Sequence, residues 1–496
     1  MHRFPKSIAF VAGLVSATGF APLGLWPLLL LALALMLHLV RAAPNGKAAF
    51  ARGYHFAAGH FILGLNWIAG SFAYQAAMPV WLGWVAVVAL SLYLAVFPAL
   101  AGALSWRAAK GASDTLFLAL MASAWILTEW LRATVFTGFA WNPLGVAFVG
   151  VGDASRWVGT YGLSGLALLL AGALWLGGRR QLRGAAFALA LPFVLTGVAM
   201  LTAPAFREDG PRPMLRVVQP NIGQQDKHDP SFDAVNFRKL EEQTGAPAAT
   251  PRLILWPEAA VPDYLEEDAG ARQRLASLIG PKDVLLTGGV ALEYNATGAL
   301  AGARNSVFAL TPKGQLIGRY DKAHLVPYGE YLPMRPVLSA MGLSRLVPGD
   351  IDFWPGPGAA TLALPGFGKV GLQICYEMIF SGQVVAARQR PDFLFNPSND
   401  AWFGAWGPPQ HLAQARLRAM EEGLPVVRST PTGISAVISA DGTLLAALPY
   451  QQAGALSAPL PPARAPTLFA RFGNILPLGF ALILGLLAIA TRRALR

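Results

Sequence analysis

The sequence is short of cysteine, of charged residues and, among these, of acidic ones. Its 496 residues include one cysteine, so no disulfide can form within the chain. Charged residues make up 13% of it, whereas 54% of the residues are hydrophobic. Ordinary soluble domains carry about 25% charged residues, so a disordered chain and a purely soluble protein are both excluded. Lys and Arg outnumber Asp and Glu by 39 to 27, which raises the question of an anionic partner such as nucleic acid.

Long apolar runs, in contrast, are abundant and unevenly placed. A membrane-spanning helix needs about 20 mainly apolar residues. Seven such runs precede residue 204, and an eighth follows residue 472. The first run begins like a signal peptide, but it lacks a small-x-small cleavage pattern, so we expect a retained helix. The sequence therefore predicts eight transmembrane helices, at about 8–21, 24–40, 55–74, 80–105, 115–133, 162–177, 185–203 and 474–491.

The segment between the seventh and eighth runs has the pattern of a globular domain. We predict helices one to seven in residues 1–203, this domain in 204–472, and the eighth helix with a tail in 473–496. Short β-branched runs alternate with helix-like stretches in the domain, which favours an α/β fold. The strand-like runs are 215–218, 253–255, 284–286, 307–310, 370–374, 393–395, 426–427 and 433–439, and the helix-like stretches are 232–243, 269–279 and 410–422.

The basic surplus is explained by orientation in the membrane. Lys and Arg are enriched in short cytoplasmic loops. With a cytoplasmic N-terminus, the cytoplasmic segments hold 13 of these residues and the opposite segments hold two. Seven crossings then place the globular domain outside the cytoplasm, and the eighth returns the C-terminus to it. The domain itself has 24 basic and 24 acidic residues, so we expect no nucleic-acid partner.

Two charged residues lie inside the fifth predicted span. Glu129 and Arg132 are three positions apart, so they share a helix face and can pair. Intramembrane charges often mark functional sites, but a paired structural anchor near a helix end is the simpler interpretation. No spacing typical of metal ligands occurs in the chain, and we expect neither a metal nor a cofactor.

Three segments of the domain carry reactive groups. One apolar run delivers Glu258 at its carboxyl end, and another delivers Cys375, the single cysteine. Lys322 lies in a third segment, residues 320–330, which is rich in ionisable and turn residues. Active sites of α/β sheets lie at the carboxyl ends of strands. The sequence therefore predicts that these groups meet at one site.

A cysteine, a glutamate and a lysine make a chemically sensible set. A thiol attacks carbonyl groups as the thiolate, and its unperturbed pKa is roughly 8.5. A carboxylate can take the thiol proton as general base, and an ammonium can stabilise the thiolate and the oxyanion formed on attack. Taken singly, a lone cysteine is commonly a small buried hydrophobic residue. Only the set of three predicts covalent catalysis.

The set resembles the Glu–Lys–Cys triad of the nitrilase (carbon–nitrogen hydrolase) superfamily, whose fold is a four-layer α–β–β–α sandwich. The resemblance makes Glu258 the general base, Lys322 the lysine and Cys375 the nucleophile, with Glu330 as auxiliary glutamate. With eight spans added, nearly the whole chain resembles the apolipoprotein N-acyltransferase family. The further segments that carry this likeness are 125–132, 137–139, 218–222 and 396–404.

The family resemblance implies a reaction and its partners. A membrane phospholipid gives a fatty acyl chain to the cysteine, and the thioester passes it to the α-amine of a diacylglyceryl-cysteine at the start of an apolipoprotein. The protein is then expected to be a monomer in a bacterial inner membrane, with a periplasmic catalytic domain. Because the chain has no second cysteine, its nucleophile cannot be trapped in an internal disulfide there.

Further residues are expected around the triad. Glu377 and Tyr376 flank the nucleophile and either shape the acyl pocket or have a structural role. Candidates for substrate binding, with core packing as the alternative for the aromatic ones, are Asn305, Tyr328, Tyr331, Asn399, Trp402, Phe403 and His228. His228 lies where members of the family often have tryptophan, so the lipid site is expected to differ there.

Two other functions remain open on the sequence. A membrane-anchored amidase or nitrilase would use the same triad with water as acceptor, but it has no need of eight spans. A transporter or sensor with an outer ligand-binding domain would need no triad. We see no repeat between two halves of the chain, which transporters often have.

Overall fold

The computed structural model describes residues 4–74, 79–210, 212–227, 229–340, 353–386 and 388–494. Apolar helices make up most of the described residues before 204, and each of the eight predicted apolar runs is largely helical where it is described. The helices are α1 Pro5–Ala17, α2 Trp26–Arg41, α3 Gly46–Gly64, α4 Trp67–Ser71, α5 Leu82–Leu94, α6 Val96–Ala108, α7 Asp114–Thr134, α8 Ser155–Gly178 and α9 Leu182–Leu201. Short 3₁₀ helices cover Phe72–Tyr74 and Leu144–Ala154.

Length and composition divide these helices into two groups. Four helical stretches in the described residues, 82–108, 114–134, 144–178 and 182–201, are long and apolar enough to cross a membrane. A fifth arises if α3 and the following segment, bent by 44°, are one span. Three apolar helices are shorter, namely α1, α2 and residues 475–491 of the last helix. The chain is therefore a membrane protein, and eight complete spans stay a prediction.

Small residues allow the first and third helices to pack closely. A Cβ atom added to Gly13 would lie 1.9 Å from the carbonyl oxygen of Phe56, and one added to Gly59 would lie 2.2 Å from that of Phe10. These distances are far below van der Waals contact. Glycine at both positions lets the two backbones touch, which is how helices commonly associate in membranes.

The predicted pairing of Glu129 with Arg132 is not found among the described ion pairs. Glu129 instead accepts hydrogen bonds from the indole of Trp125, at 3.3 Å, and the main-chain N–H of Leu144, at 3.0 Å. Arg132 donates to the carbonyl oxygens of Phe139 and Trp141, both at 2.9 Å. The two charges therefore hold the segment that follows α7 against that helix.

The described residues from 214 to 459 contain two six-stranded sheets with helices outside them, and the chain continues into the apolar helix α16. The strands are β1 Met214–Gln219, β2 Arg252–Leu255, β3 Val284–Tyr294, β4 Leu300–Leu310, β5 Leu316–Asp321, β6 Ala360–Leu364, β7 Gly368–Leu372, β8 Phe393–Pro397, β9 Val426–Ser429, β10 Ala436–Ile438, β11 Leu444–Ala447 and β12 Gly454–Pro459. The helices are α10 Gln224–Lys227, α11 Asp233–Thr244, α12 Ala269–Ala276, α13 Arg335–Ala340, α14 Gly407–Glu422, α15 Leu468–Phe472 and α16 Ile475–Ala494.

The sheets stack face to face in the order of a four-layer sandwich. Their strand orders are β12-β1-β2-β3-β4-β5 and β11-β10-β9-β8-β7-β6. Alternate side chains of both sheets, such as Val217 and Leu255 in one and Leu372 and Phe395 in the other, share one core. The outer face of the first sheet packs on α11 and α12, and that of the second on α14. The predicted α–β–β–α arrangement is confirmed.

The domain and the apolar helices share buried contacts. Leu417 and Met420 of α14 belong to the same hydrophobic cluster as α7 and α8. The indole of Trp141 donates to the side chain of Gln410 at 2.8 Å. Glu421 accepts hydrogen bonds from the main chain and hydroxyl of Thr160, at 2.6 and 2.7 Å. Helix α14 therefore fixes the sandwich directly on the membrane part.

Candidate active site

The two facing sheets bring the three predicted catalytic residues together. Glu258 follows β2 and Lys322 follows β5, both in the first sheet. Cys375 comes from the second sheet, where it opens a 3₁₀ helix, Cys375–Ile379, shortly after β7. All three side chains are buried. The site thus lies between the sheets, where neither sheet alone could assemble it.

Lys322 is held between two carboxyl groups. Its Nζ lies 3.2 Å from Oε1 of Glu258 and 3.0 Å from Oε1 of Glu330. Asn305 donates to the same two oxygens, at 2.7 and 2.8 Å. The second oxygen of Glu330 accepts from the main-chain N–H of Val326 at 2.8 Å. Glu330 and Asn305 therefore fix the ammonium group and Glu258 relative to one another.

One oxygen of Glu258 is left free for proton transfer. Its Oε2 atom is buried and has no hydrogen-bond partner among the described residues. Burial raises the pKa of Glu258, but the positive charges of Lys322 and Lys227 lower it more, so the pKa lies below its usual value. A buried carboxylate with an unused lone pair can accept a proton from a neighbouring acid.

Cys375 is kept as a thiol in the resting site. Burial, and next the negative charge of Glu258, raise its pKa far above its usual value, although Lys322 acts in the opposite direction. Environments that separate the pKa values of two neighbouring groups in this way are typical of acid–base pairs. The two shifts therefore favour a neutral thiol beside an ionised carboxylate in the resting site.

The backbone at Cys375 adopts a conformation that is uncommon for a side-chain-bearing residue. Its φ angle is +49°, in the left-handed region. The carbonyl oxygen of Cys375 is held by His411 Nε2 at 3.1 Å and by Asn396 Nδ2 at 3.4 Å. Strained residues of this kind persist only where their surroundings hold them, and they cluster at active sites.

His411 belongs to a buried polar network that sequence reasoning missed. His411 Nδ1 lies 3.1 Å from Asp400, and Arg428 forms an ion pair with Asp400 at 2.5 Å. Burial and then Arg428 lower the pKa of His411, so the ring is neutral. Asp400 lies within the segment 396–404 that carries the family likeness, which was the available signal. The network holds the main chain of Cys375 from behind.

Cys375, Asp400 and His411 are the described residues whose ligand atoms lie close enough to hold a metal ion, all within 4.8 Å of one another. Both ring nitrogens of His411 are already engaged, since Nε2 donates to the carbonyl oxygen of Cys375 and Nδ1 accepts from Arg428 at 3.0 Å. Asp400 also faces Arg428. This arrangement satisfies the group without an ion, so we interpret it as structural support.

Glu377 connects the lysine segment to the cysteine segment. Its carboxylate accepts hydrogen bonds from the main-chain N–H groups of Ala323 and His324, at 2.7 and 3.1 Å, and of Ile374, at 2.6 Å. The hydroxyl of Tyr320 also donates to it, at 2.9 Å. Burial raises the pKa of Glu377 to about 7, against the effect of these donors. Glu377 therefore positions the loops on either side of Cys375.

Tyr376 faces the membrane part of the molecule. It is buried, and its hydroxyl donates to the carbonyl oxygen of Gly138 at 3.3 Å. Its ring contacts those of Phe380 and Phe139, with centroids 5.2 and 6.4 Å apart. Tyr376 thus joins the turn at Cys375 to the segment that follows α7.

The residues predicted to bind substrate fall into different places. Asn305 lies within the triad cluster, as described above. Tyr328 is exposed and has a φ of +62°, and its main-chain N–H donates to the carbonyl oxygen of Tyr331 at 2.8 Å. The two tyrosines therefore shape the turn that carries Glu330. His228 lies outside the described residues.

Trp402 and Phe403 lie where the domain meets α4, and Asn399 lies between Trp402 and Lys227. Phe403 is buried, with its ring 4.6 Å from that of Trp67 and 5.5 Å from that of Trp141. Trp402 is half-buried, and its carbonyl oxygen accepts from the hydroxyl of Ser71 at 3.0 Å. The side-chain amide of Asn399 lies 3.1 Å from the indole nitrogen of Trp402. In this structure Phe403 therefore packs in the core between the domain and the apolar helices.

Two family models match this chain. Residues 215–467 match the model of the carbon–nitrogen hydrolase family, and residues 12–174 match the model of the apolipoprotein N-acyltransferase N-terminal domain. Among solved structures, the nitrilase-superfamily member Nit3 of Saccharomyces cerevisiae is 22% identical, covering 54% of this chain and 96% of its own, with a TM-score of 0.35.

Relatives at higher identity cover nearly the whole chain. A protein of Rhodopseudomonas palustris is 34% identical, with 94% of this chain and 91% of that protein covered. One of Bradyrhizobium diazoefficiens is 35% identical, with 99% and 95% covered. Both are named apolipoprotein N-acyltransferase. The resemblance seen in the sequence is thereby confirmed, and the chain belongs to the apolipoprotein N-acyltransferase family.

Proposed function

We propose that this protein transfers a fatty acyl chain from a membrane phospholipid to the α-amine of diacylglyceryl-cysteine on apolipoproteins. The observation that carries the proposal is the buried Glu258–Lys322–Cys375 cluster in a domain fixed on apolar helices. Both substrates are held in a bilayer by their acyl chains. A site next to the membrane can bind them without extracting them fully, and the search for them is confined to the membrane.

In the first half-reaction, Cys375 is acylated. Glu258 takes the proton from the thiol through its free Oε2 atom while Sγ attacks the ester carbonyl carbon of the phospholipid. Lys322 stabilises the negative charge that develops on the carbonyl oxygen. The bond from the carbonyl carbon to the glycerol oxygen then breaks. Glu258 returns the proton to that oxygen, and a lysophospholipid leaves.

In the second half-reaction, the lipoprotein amine takes the acyl chain. Its nitrogen attacks the thioester carbonyl while Glu258 accepts the amine proton. The C–S bond breaks, and the proton returns to Sγ, which restores the resting thiol. Burial of Cys375 disfavours competing attack by water on the thioester. Glu330 and Asn305 keep Lys322 and Glu258 aligned in both steps.

A two-substrate assay tests this function against hydrolysis. Full-length protein in liposomes, given phospholipid with a labelled acyl chain and a diacylglyceryl-cysteine peptide, should yield labelled N-acyl peptide and lysophospholipid in equal amounts. When the peptide is left out, lysophospholipid should not exceed one equivalent per protein, because the thioester waits for the amine. A membrane-anchored amidase would instead release ammonia from simple amides and leave the peptide unlabelled, which would reject the proposal.

We further propose eight spans, with the segment before α1 and the segment after α16 in the cytoplasm and residues 204–472 in the periplasm of a bacterial inner membrane. The Lys and Arg bias of the loops supports this orientation. We also propose that residues 1–203 and 473–496 form the membrane part around the catalytic domain, and that the protein acts as a monomer.

Surface labelling tests the orientation. In a Cys375→Ser background, a cysteine at exposed Lys282 of the domain should react with a membrane-impermeant maleimide in cells with a permeabilised outer membrane. A cysteine at exposed Arg183, in the first turn of α9, should react only after the inner membrane is opened. The opposite pattern would reverse the proposed orientation.

A further inference from the structure

Lys227 is a second ammonium group at the active site, and the two half-reactions above do not use it. Its Nζ atom donates to the carbonyl oxygen of Glu258 at 2.8 Å. It also lies 3.2 Å from the side-chain amide of Asn399. Lys227 ends the short helix α10 and is half-buried. None of the carboxylates in the described part of the chain forms an ion pair with it.

The charge balance of the cluster indicates what this ammonium does. Lys322 faces two carboxylates, Glu258 and Glu330, so these three groups lack one positive charge. Lys227 interacts electrostatically with both Glu258 and Cys375. Removing an ammonium from water is costly unless negative charge nearby compensates it. Lys227 has no ion-pair partner of its own among the described residues, so its charge is compensated by the catalytic cluster.

We propose that Lys227 is a positioning residue for acyl transfer, whose ammonium holds the main chain of Glu258 and whose charge stabilises the negative charge of the Glu258–Cys375 pair both before and after proton transfer. The proposal rests on the roles assigned above to those two residues. When the proton moves from Sγ to Oε2, the negative charge moves from the carboxylate to the thiolate. Both lysines remain protonated and face a negative charge before and after the step.

The protonation state of Lys227 is consistent with this role. Burial lowers its pKa to about 8 and Lys322 acts in the same direction, while the negative charge of Glu258 raises it. The ammonium form therefore predominates at neutral pH. The other titratable groups that face the cluster are Lys322, Glu330 and Cys375, with Asp400 and His411 behind the cysteine.

The test compares Lys227→Met, Lys227→Gln and Lys227→Arg in the full-length protein, with Lys282→Met as the matched control at an exposed lysine. Two rates are measured, namely acyl-adduct formation on Cys375 from labelled phospholipid, and alkylation of Cys375 by iodoacetamide as a function of pH. The second rate needs no substrate and follows the thiolate fraction. Thermal unfolding of each variant reports whether the fold is retained.

We expect both neutral variants to form the adduct about tenfold or more slowly, since one nearby charge of this kind is lost. Their alkylation profiles should move to higher pH, because a missing cation disfavours the thiolate. Lys227→Arg should keep most of the rate and the wild-type profile, and Lys282→Met should match wild type. A merely structural role would slow all three Lys227 variants without moving the profile.

The outcome that would overturn the inference is wild-type rate and profile in a folded neutral variant, or equal loss in Lys227→Arg with an unmoved profile. Failure of the underlying site assignment looks different. In that case Glu258→Gln, measured in parallel, would form the adduct at the wild-type rate. A slow Glu258→Gln beside a normal Lys227→Met would reject the role of Lys227 alone.

Discussion

Replacing Cys375 by serine should abolish the acyl-enzyme and lower acyl transfer by at least about 10³-fold, as expected for loss of a covalent nucleophile. The chain has no other cysteine, so no second thiol can take its place. The serine hydroxyl is a weaker acid than the thiol. The carboxylate of Glu258, whose pKa lies below its usual value, is a poor base for such a hydroxyl.

The measurement is mass spectrometry of the protein after incubation with native membrane lipids. Wild type should carry one acyl group on the peptide that contains Cys375, and hydroxylamine should remove it. The serine variant should carry none, and its thermal unfolding should stay close to that of wild type because the two side chains are nearly the same size. Full transfer by the folded serine variant would disprove the nucleophile assignment.

Replacing Glu258 by glutamine should slow formation of the adduct itself by about 10²–10⁴-fold, the usual contribution of a general base. Glutamine has nearly the same shape but cannot accept the thiol proton. Its amide also removes the negative charge that faces Lys322 at 3.2 Å and Lys227 nearby. The cluster then has two ammonium groups and a single carboxylate, that of Glu330.

Single-turnover acylation with labelled phospholipid measures this effect. Glu242→Gln is the matched control, because that side chain is exposed on α11. It should acylate at the wild-type rate. If Glu258→Gln reached the wild-type rate of adduct formation while remaining folded, Glu258 would not be the base for the first half-reaction, and another group would have to take the thiol proton.

Several elements could be predicted from local pattern alone. The apolar helices are long apolar runs, strands β1, β2, β7 and β8 are short apolar runs, and α14 has apolar residues spaced among charged ones, so each of these elements could be recognised from its own residues. Strands β5, β6, β11 and β12 were not predicted. They are half-exposed or include small and charged residues, and they are strands because a neighbouring strand offers them hydrogen bonds.

The candidate site was likewise predicted from the sequence in part. Glu258 and Cys375 follow buried apolar strands, and their chemistry and the family likeness were enough to single them out with Lys322. By itself, the sequence determined these three residues, the family, the α/β domain and the apolar helices. Each of these depends on residue type and on spacing within a short segment, and neither property depends on the fold.

Only the tertiary structure decided which groups surround the three residues. Lys227 binds the carbonyl oxygen of Glu258, which is 31 positions away in the chain, and His411 binds the carbonyl oxygen of Cys375, which is 36 positions away. Glu377 accepts hydrogen bonds from residues up to 57 positions away. No local pattern encodes such contacts, because they depend on how two sheets stack and how the domain sits on its helices. Tertiary packing likewise buries Phe403 against Trp67 of α4. The sequence alone had left both substrate binding and core packing open for this residue.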